Sequence, residues 1–185
     1  MADQMNERPK ILIVGTGLSA MDARNWNLEG WTVAVIHKAW ELLPDRWDWF
    51  FHCKSFPEAD KPKTIGLHVM NKEYCETIGN DQYCINSGIR RTTMVFAAHY
   101  CLDHRPQTLG FTGCDLNYTP DKDGNNVTYG IGKPDAAELP IEERQAWNKG
   151  IAVRANDLDC ELINFSQVES DLPFERQRWV KIKTS

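Results

Sequence analysis

The stretch that most constrains the fold is Lys10–Arg24, "KILIVGTGLSAMDAR". A short apolar run leads into Gly15-Thr16-Gly17, and the pattern becomes helical around Ser19. This order is typical of a buried strand, a tight glycine turn and a helix N-terminus. Glycines let a backbone approach a phosphate, and the amides and dipole of a helix N-terminus favour negative charge. The stretch therefore predicts an anion site at the start of an α/β fold.

Strand and helix signals alternate along the rest of the chain. The predicted strands are Lys10–Val14, Thr32–His37, Trp47–His52, Thr64–Met70, 107–116 and 160–165. The predicted helices are Leu18–Leu28, 38–43, a long helix from Ser87 that ends before Pro106, 140–157 and 172–180. Such alternation favours a mainly parallel sheet with helices on both faces. We expect a single Rossmann-like α/β domain over residues 1–185, with residues 1–9 as a flexible tail.

Composition narrows the classes of function. The formal net charge of −5 over 185 residues argues against a broad nucleic-acid surface. No apolar run approaches the ~20 residues of a membrane helix, and "MADQMNERPK" lacks the apolar core of a signal peptide. We therefore expect a cytoplasmic protein with six reduced cysteines. One short cluster contains possible metal ligands: His99, Cys101 and His104. Its spacing is better explained by the C-terminus of a helix than by a zinc site, so we expect no metal.

Three segments are expected to meet at the carboxyl ends of the strands, where such sheets bind ligands. They are Gly15–Ser19, the predicted helix start at Asn86, Ser87 and Gly88, and the strand end at Gly113, Asp115 and Tyr118. Two helix N-termini in one crevice suit a ligand that carries a phosphate and a sugar. His37 and His52 end neighbouring predicted strands and are the histidines best placed to contact such a ligand.

The end of the second predicted strand leaves an alternative open. A dinucleotide-binding fold places an acidic residue about 20 residues past the first glycine. His37 and Lys38 stand there instead. Because a lysine suits the additional phosphate of NADP, an NADP-linked oxidoreductase is the first alternative.

The motifs "VGTGLSA", "NSGIRRTTMVFAAHY" and "LGFTGCDLNY" follow one another in a familiar order. They resemble the G-x-G-x-S turn, the Ser-Gly helix start and the G-x-D strand end of bacterial sialyltransferases that use CMP-sialic acid, and of the related motility-associated flagellin glycosyltransferases. "CELINFSQVESDLPFE" is similar to that family's last strand and Ser-containing turn. The resemblance runs over most of the chain.

This resemblance implies a Rossmann-like fold and transfer of a sugar from a nucleotide-activated donor, a CMP-sugar or another nucleotide-sugar, without a required metal. Gly15, Gly17 and Ser19 would hold the ribose and phosphate of the donor. The other side of the nucleotide and its sugar would contact Asn86, Ser87 and Gly88. Either Tyr118 or Tyr129 would donate a hydrogen bond to the leaving phosphate. Our full set of predicted ligand-binding residues is Gly15, Thr16, Gly17, Ser19, His37, Asn86, Ser87, Gly88, Gly113 and Tyr129.

The general base is where the chain departs from the family. The sialyltransferases place a histidine after the G-x-D motif, whereas no histidine follows His104 here. Asp115 and His52 are the substitutes considered, and with Tyr118 they form the predicted catalytic set. The prediction is a glycosyltransferase-like enzyme with a nucleotide ligand and a glycan, lipid or modified-base acceptor. A non-catalytic nucleotide-binding or assembly protein of the same fold is the second alternative.

Overall fold

The structure is a computed structural model, and it describes residues 8–53, 56–63, 67–70, 92–116 and 141–179. The strands are β1 (Lys10–Val14), β2 (Trp31–Ile36), β3 (Trp49–His52), β4 (Leu67–Met70), β5 (Thr108–Thr112), β6 (Glu161–Asn164) and β7 (Glu175–Arg176). The α-helices are α1 (Thr93–Asp103) and α2 (Ile141–Asp157). The 3₁₀ helices are η1 (Leu18–Asn25), η2 (His37–Leu42) and η3 (Glu58–Asp60).

All seven strands form one sheet in the order β4-β3-β2-β1-β5-β6-β7, and each neighbouring pair is parallel. Val14, the last residue of β1, pairs with Val35 of β2 on one side and with Thr112 of β5 on the other. The central strands β1, β2 and β5 are short, largely apolar runs, as expected when both faces of a sheet are covered. The predicted α/β fold class, a single Rossmann-like domain with a mainly parallel sheet, is confirmed.

Each face of the sheet buries its own hydrophobic cluster. On one face, α1 and α2 cover residues such as Ile11, Phe51 and Phe111. On the other face, η1 and η2 cover residues such as Leu12 and Phe50. The alternation of side chains along each strand sends neighbouring residues to opposite clusters. No helix in the described ranges is long and apolar enough to cross a membrane.

Two helix predictions are wrong in extent or type. The helix predicted over Leu18–Leu28 is the 3₁₀ helix η1 and stops at Asn25, because Trp26 is extended (φ −84°, ψ 144°). The long helix predicted from Ser87 begins at Thr93, because Thr92 is extended (φ −77°, ψ 156°) and takes the N-cap position. The Thr92 side chain makes no capping hydrogen bond, so the extended backbone of Thr92, and not a side-chain cap, sets the start of α1.

The short helix predicted over 172–180 is also wrong in its described part, which is extended and includes β7. Leu172 and Phe174 are buried and Glu175 is exposed, which is the alternation of a strand. The amide of Gln177 donates to the carbonyl of Asn164 at 3.1 Å, so this segment pairs with the edge of β6. Farther along, Trp179 stacks on Trp26 with ring centroids 4.5 Å apart.

The chain just before β1 is tied to the core. The Arg8 guanidinium donates to the carbonyls of Arg105, Pro106 and Leu158, and the Pro9 carbonyl accepts from the Gln107 amide at 2.8 Å. The predicted tail of residues 1–9 therefore ends in fixed contacts at Arg8 and Pro9, while residues 1–7 lie outside the described ranges.

Gly150 offers a test of how the second α-helix is built. It lies inside α2, and a Cβ at this position would have nothing within 4 Å. Glycine destabilises a helix interior because its unfolded chain has more freedom. We expect Gly150→Ala to raise the free energy of unfolding by about 0.5–1 kcal/mol in urea denaturation. A loss of stability would show that the helix interior is not open there.

Candidate functional site

The strand order reverses direction at β1, which defines a switch point. From β1 the chain builds outward through β2, β3 and β4, and then returns to the other side of β1 with β5. Because Val14 and Thr112 are paired, the loops that follow β1 and β5 leave the sheet side by side. Ligands of open parallel sheets bind at such a crevice.

The glycines of these two loops let the loops touch each other. A Cβ on Gly15 would lie 2.2 Å from the carbonyl oxygen of Gly113, and a Cβ on Gly17 would lie 2.6 Å from Oδ2 of Asp115. Gly113 has φ +66°, and a Cβ there would lie 2.5 Å from the carbonyl oxygen of Gly15. The Gly15 and Gly17 Cβ positions thus face the neighbouring loop, so the close approach of the two loops requires glycine at both positions.

Asp115 is the centre of a buried hydrogen-bond cluster. Its Oδ1 accepts from the hydroxyls of Ser19, at 2.6 Å, and Ser166, at 2.5 Å, and its Oδ2 accepts from the Ser19 amide at 3.2 Å. The Ser19 hydroxyl oxygen in turn accepts from the Gly113 amide at 2.6 Å. Asp115, Ser19 and Ser166 are each at most 5% exposed. We call these three residues the Asp115 cluster; it joins the loops after β1, β5 and β6.

Ser166 is the member of this cluster that the site prediction missed. It follows β6, and its amide donates to Oδ1 of Asn164 at 3.0 Å. The loop that it opens is fixed further on, where the Asp171 amide donates to the Asp115 carbonyl at 2.7 Å. A signal was present in the sequence, because "INFS" places polar residues at the carboxyl end of a buried strand, where α/β sheets carry their sites.

Two backbone amides of the glycine turn remain available. The amides of Gly15 and Gly17 donate to the carbonyls of Thr112 and Gly113, at 2.8 and 2.7 Å, and that of Ser19 donates to Asp115. Within the described part of the chain, the amides of Thr16 and Leu18 have no acceptor. They lie at the N-terminal end of η1, where the helix dipole favours an anion.

His37 lies at the same edge of the sheet, directly after β2. Its backbone has φ +49°, a left-handed conformation that histidine adopts more readily than most residues. Its Nε2 is 3.0 Å from Oγ1 of Thr93 at the start of α1, and its ring stacks on Phe56. His37 is half-buried, and these two contacts fix its ring.

His52 lies at the end of the strand next to β2, as predicted, but away from the switch point. It ends β3, is 4% exposed, and its ring stacks on Phe50. Its Nδ1 is 3.0 Å from the carbonyl of Cys53. β3 is separated from β5 by three strand spacings, roughly 14 Å at the usual distance between strands. The structure therefore does not bring His52 and Asp115 together as one catalytic set.

Five predicted site residues lie outside the described ranges: Asn86, Ser87, Gly88, Tyr118 and Tyr129. The start of α1 at Thr93 nevertheless corrects one interpretation, because Asn86–Gly88 do not open that helix. In the described part of the chain, no group of three or more His, Cys, Asp or Glu side chains is arranged to hold a metal ion.

Burial keeps two cysteines in the thiol form: Cys114, which lies next to Asp115 at this site, and Cys160, which precedes β6 at the opposite edge of the sheet. Burial, and secondarily the charge of Asp115, raises the pKa of the Cys114 thiol far above its ordinary value. Burial likewise raises the pKa of Cys160 to about 11. Because the thiolate is the reactive form, both side chains act as small apolar core residues.

No protein-family model matches the chain, and a comparison with curated proteins finds no match. Among solved structures, the fold is similar to that of the monofunctional alpha-2,3-sialyltransferase Cst-I from Campylobacter jejuni, with a TM-score of 0.56 and 12% identity over 100% of this chain and 85% of that chain. It is also similar to that of the sialyltransferase CST-II, which was solved in complex with a trisaccharide acceptor and CMP. Here the TM-score is 0.50 and the identity is 10%, over 95% of this chain and 88% of that chain. At these identities the likeness is one of fold.

Proposed function

We propose that this protein is a glycosyltransferase-like enzyme that binds a nucleotide-sugar, a CMP-sugar or a related donor, at the switch point between β1 and β5. The observation that carries the proposal is the pair of available amides at Thr16 and Leu18, held at the positive end of η1 by the Asp115 cluster. The fold shared with two sialyltransferases supports it. The acceptor is a glycan, a lipid or a modified base.

The geometry suggests a role for each described part of the site. The donor phosphate binds the Thr16 and Leu18 amides, because backbone N–H groups at a helix start are ready-made anion ligands. The nucleoside extends along the edge toward His37. On the basis of the family resemblance, the proposed site also includes Asn86, Ser87, Gly88, Tyr118 and Tyr129.

Asp115 is a positioning residue in this proposal, and not the general base. Its two oxygens already accept three hydrogen bonds from Ser19 and Ser166. A base must reach the acceptor hydroxyl with a lone pair that is available. His52 is buried against Phe50 and distant from the switch point. The Asp115 cluster instead fixes the glycine turn, so that its available amides need no reorganisation on binding.

Two alternatives remain in competition with this proposal. The buried, hydrogen-bonded state of Asp115 favours a non-catalytic nucleotide-binding protein, which predicts tight binding without turnover. The NADP-linked oxidoreductase is less favoured, because Nζ of Lys38 is paired with Asp60 at 3.1 Å and its charge is already compensated.

A thermal-shift screen tests the proposal against both alternatives. The panel is CMP, UDP, GDP, CMP-sialic acid, UDP-sugars, NADP and NAD, and donor hydrolysis is measured for every hit. A ligand at a hundredfold excess over its dissociation constant should raise the melting temperature by about 5–10 °C for a chain of this length. We expect a shift with a sugar-linked nucleotide, and its hydrolysis. A shift with NADP alone would contradict the proposal, and binding without hydrolysis or transfer would favour the non-catalytic alternative.

Thr16 supplies a matched pair of variants for that screen. Thr16→Pro removes one available amide, whereas Thr16→Ala keeps it and removes only the side chain. We expect the proline variant to lose at least about tenfold in nucleotide affinity, the loss of one charge-assisted hydrogen bond. The alanine variant should bind within about twofold of the parent. Melting temperatures without ligand show that both variants are folded.

A further inference from the structure

Arg144 ties the first turn of α2 to the loops that follow β5 and β6. Because α2 leads by a short connection into the amino end of β6, its own first turn lies at the carboxyl edge of the sheet, as the switch point does. The Arg144 guanidinium donates to the Leu116 carbonyl at 2.6 Å, and the same nitrogen lies 3.7 Å from Oδ2 of Asp171. One helical side chain therefore contacts both the residue that follows Asp115 and the loop after β6.

Leu116 adopts a backbone conformation that needs support from its surroundings. Its φ is +54°, in the left-handed region that leucine rarely adopts. Gly113, at φ +66°, takes a similar conformation at little cost because it has no Cβ. Asp115 thus lies in a turn with a left-handed residue on either side, and Leu116 is the one that is not a glycine. Such a residue keeps its conformation when neighbouring contacts over-determine it, and the Arg144 hydrogen bond is made directly to the Leu116 backbone.

The same turn carries the carboxylate that fixes the glycine turn. The Asp115 carbonyl accepts from the Asp171 amide at 2.7 Å, so the consecutive carbonyls of Asp115 and Leu116 are each held by a donor from another part of the chain. The Asp115 carboxylate in turn accepts from the amide and the hydroxyl of Ser19. A change at Leu116 is therefore expected to reach Ser19 through one backbone turn and one side chain.

We propose that Arg144 is a positioning residue for the nucleotide site, and that it holds the turn around Asp115 in the conformation that the Asp115 cluster requires. The inference rests on the proposed function for its effect on binding, and it requires no contact between Arg144 and the ligand. The hydrogen bond to Leu116 carries the effect, because the Asp171 side chain is 46% exposed and ion pairs of such residues contribute little. Without Arg144 the turn relaxes, and the available amides of the glycine turn lose the fixed arrangement in which they bind an anion.

Amide hydrogen exchange in the ligand-free protein tests the positioning directly. Arg144→Met removes the donor and keeps much of the apolar length of the side chain. We expect the exchange rate of the Ser19 amide, which donates to Asp115, to rise about tenfold more than that of the Ile13 amide in β1. A purely structural role would destabilise the whole domain and accelerate both amides equally. Equal changes at the two amides, or no change at Ser19, would overturn the proposal.

Arg154→Met is the matched control on the same helix. Arg154 donates to the His99 carbonyl at 3.1 Å and pairs with Asp103, so it makes the same two kinds of contact farther along α2. We expect this variant to leave the ratio of the two exchange rates within about twofold of the parent. Arg144→Lys should restore most of the parent ratio, because the two contacts described above share one nitrogen, which an ammonium group can replace. A control variant with the same effect as Arg144→Met would also overturn the proposal.

Nucleotide binding separates this inference from the proposed function. CMP, UDP and GDP are each titrated by calorimetry into the parent and the three variants. We expect Arg144→Met to weaken the binding of the nucleotide that the parent binds by about fivefold or more, and the other two variants to bind within about twofold of the parent. Equal binding to the parent and to all three variants would overturn the role of Arg144 and leave the proposed function standing. If the parent binds none of the three, the proposed function is contradicted, and the exchange ratio alone decides whether Arg144 positions the turn.

Discussion

Gly15→Ala is expected to lower the free energy of unfolding by more than about 3 kcal/mol, measured by urea or thermal denaturation. The added Cβ would lie 2.2 Å from the carbonyl oxygen and 2.8 Å from the carbonyl carbon of Gly113, and 2.9 Å from the sulfur of Cys114. The contacts with the oxygen and carbon of Gly113 are with backbone, which cannot relieve the clash by changing rotamer as a side chain can. The β1 and β5 loops must therefore separate, and the core beneath them must open.

The control for this variant is Gly150→Ala, the same chemical change at an open helical position. Its expected effect has the opposite sign. If Gly15→Ala were as stable as the parent, the close approach of the two loops would not exist in solution, and the arrangement of the Asp115 cluster would be contradicted with it.

Asp115→Ala is the second variant with a large expected effect, a loss of about 3 kcal/mol in the free energy of unfolding. Removing the carboxylate leaves the Ser19 amide and the hydroxyls of Ser19 and Ser166 buried without their acceptor. Each unsatisfied buried group costs about 1–3 kcal/mol, although the two hydroxyls can bond to each other and recover part of this.

Ser166→Ala separates the contributions within the cluster. It removes one donor and leaves Asp115 bonded to Ser19, so we expect a loss of about 1 kcal/mol. The exposed Asp22→Ala should change stability by less than about 0.5 kcal/mol. If Asp115→Ala were no more destabilising than Asp22→Ala, Asp115 would not join the three loops.

The sheet was the part of the fold that the sequence predicts best. The predicted bounds of β1, Lys10–Val14, agree with the structure at both ends, because a short apolar run between a polar lead and a glycine has few other ways to be buried. Helix type was harder, because Leu18–Asn25 carries the same apolar pattern whether it winds as α or 3₁₀. The start of α1 was missed, because the extended conformation of Thr92 depends on its surroundings and not on its propensity.

The sequence predicts that the loops after β1 and β5 lie together, but it does not predict the hydrogen bonds between them. Gly15, Ser19 and Asp115 were each singled out because they follow strands, and the topology does bring their loops together. Asp115 can join three loops only because β1, β5 and β6, which are far apart in the chain, lie side by side in the sheet. No local pattern encodes this arrangement, so the sequence alone offers both Asp115 and His52 as substitutes for the base.

The most direct test of the central claim is a ¹H–¹⁵N NMR titration of the protein with CMP, UDP and GDP in turn. The account predicts that one of these nucleotides shifts the amide resonances of Thr16 and Leu18 more than those of Gly30 and Gly150, which lie away from the switch point. Shifts confined to residues away from the switch point, or no shift with any of the three nucleotides, would contradict a nucleotide site between β1 and β5.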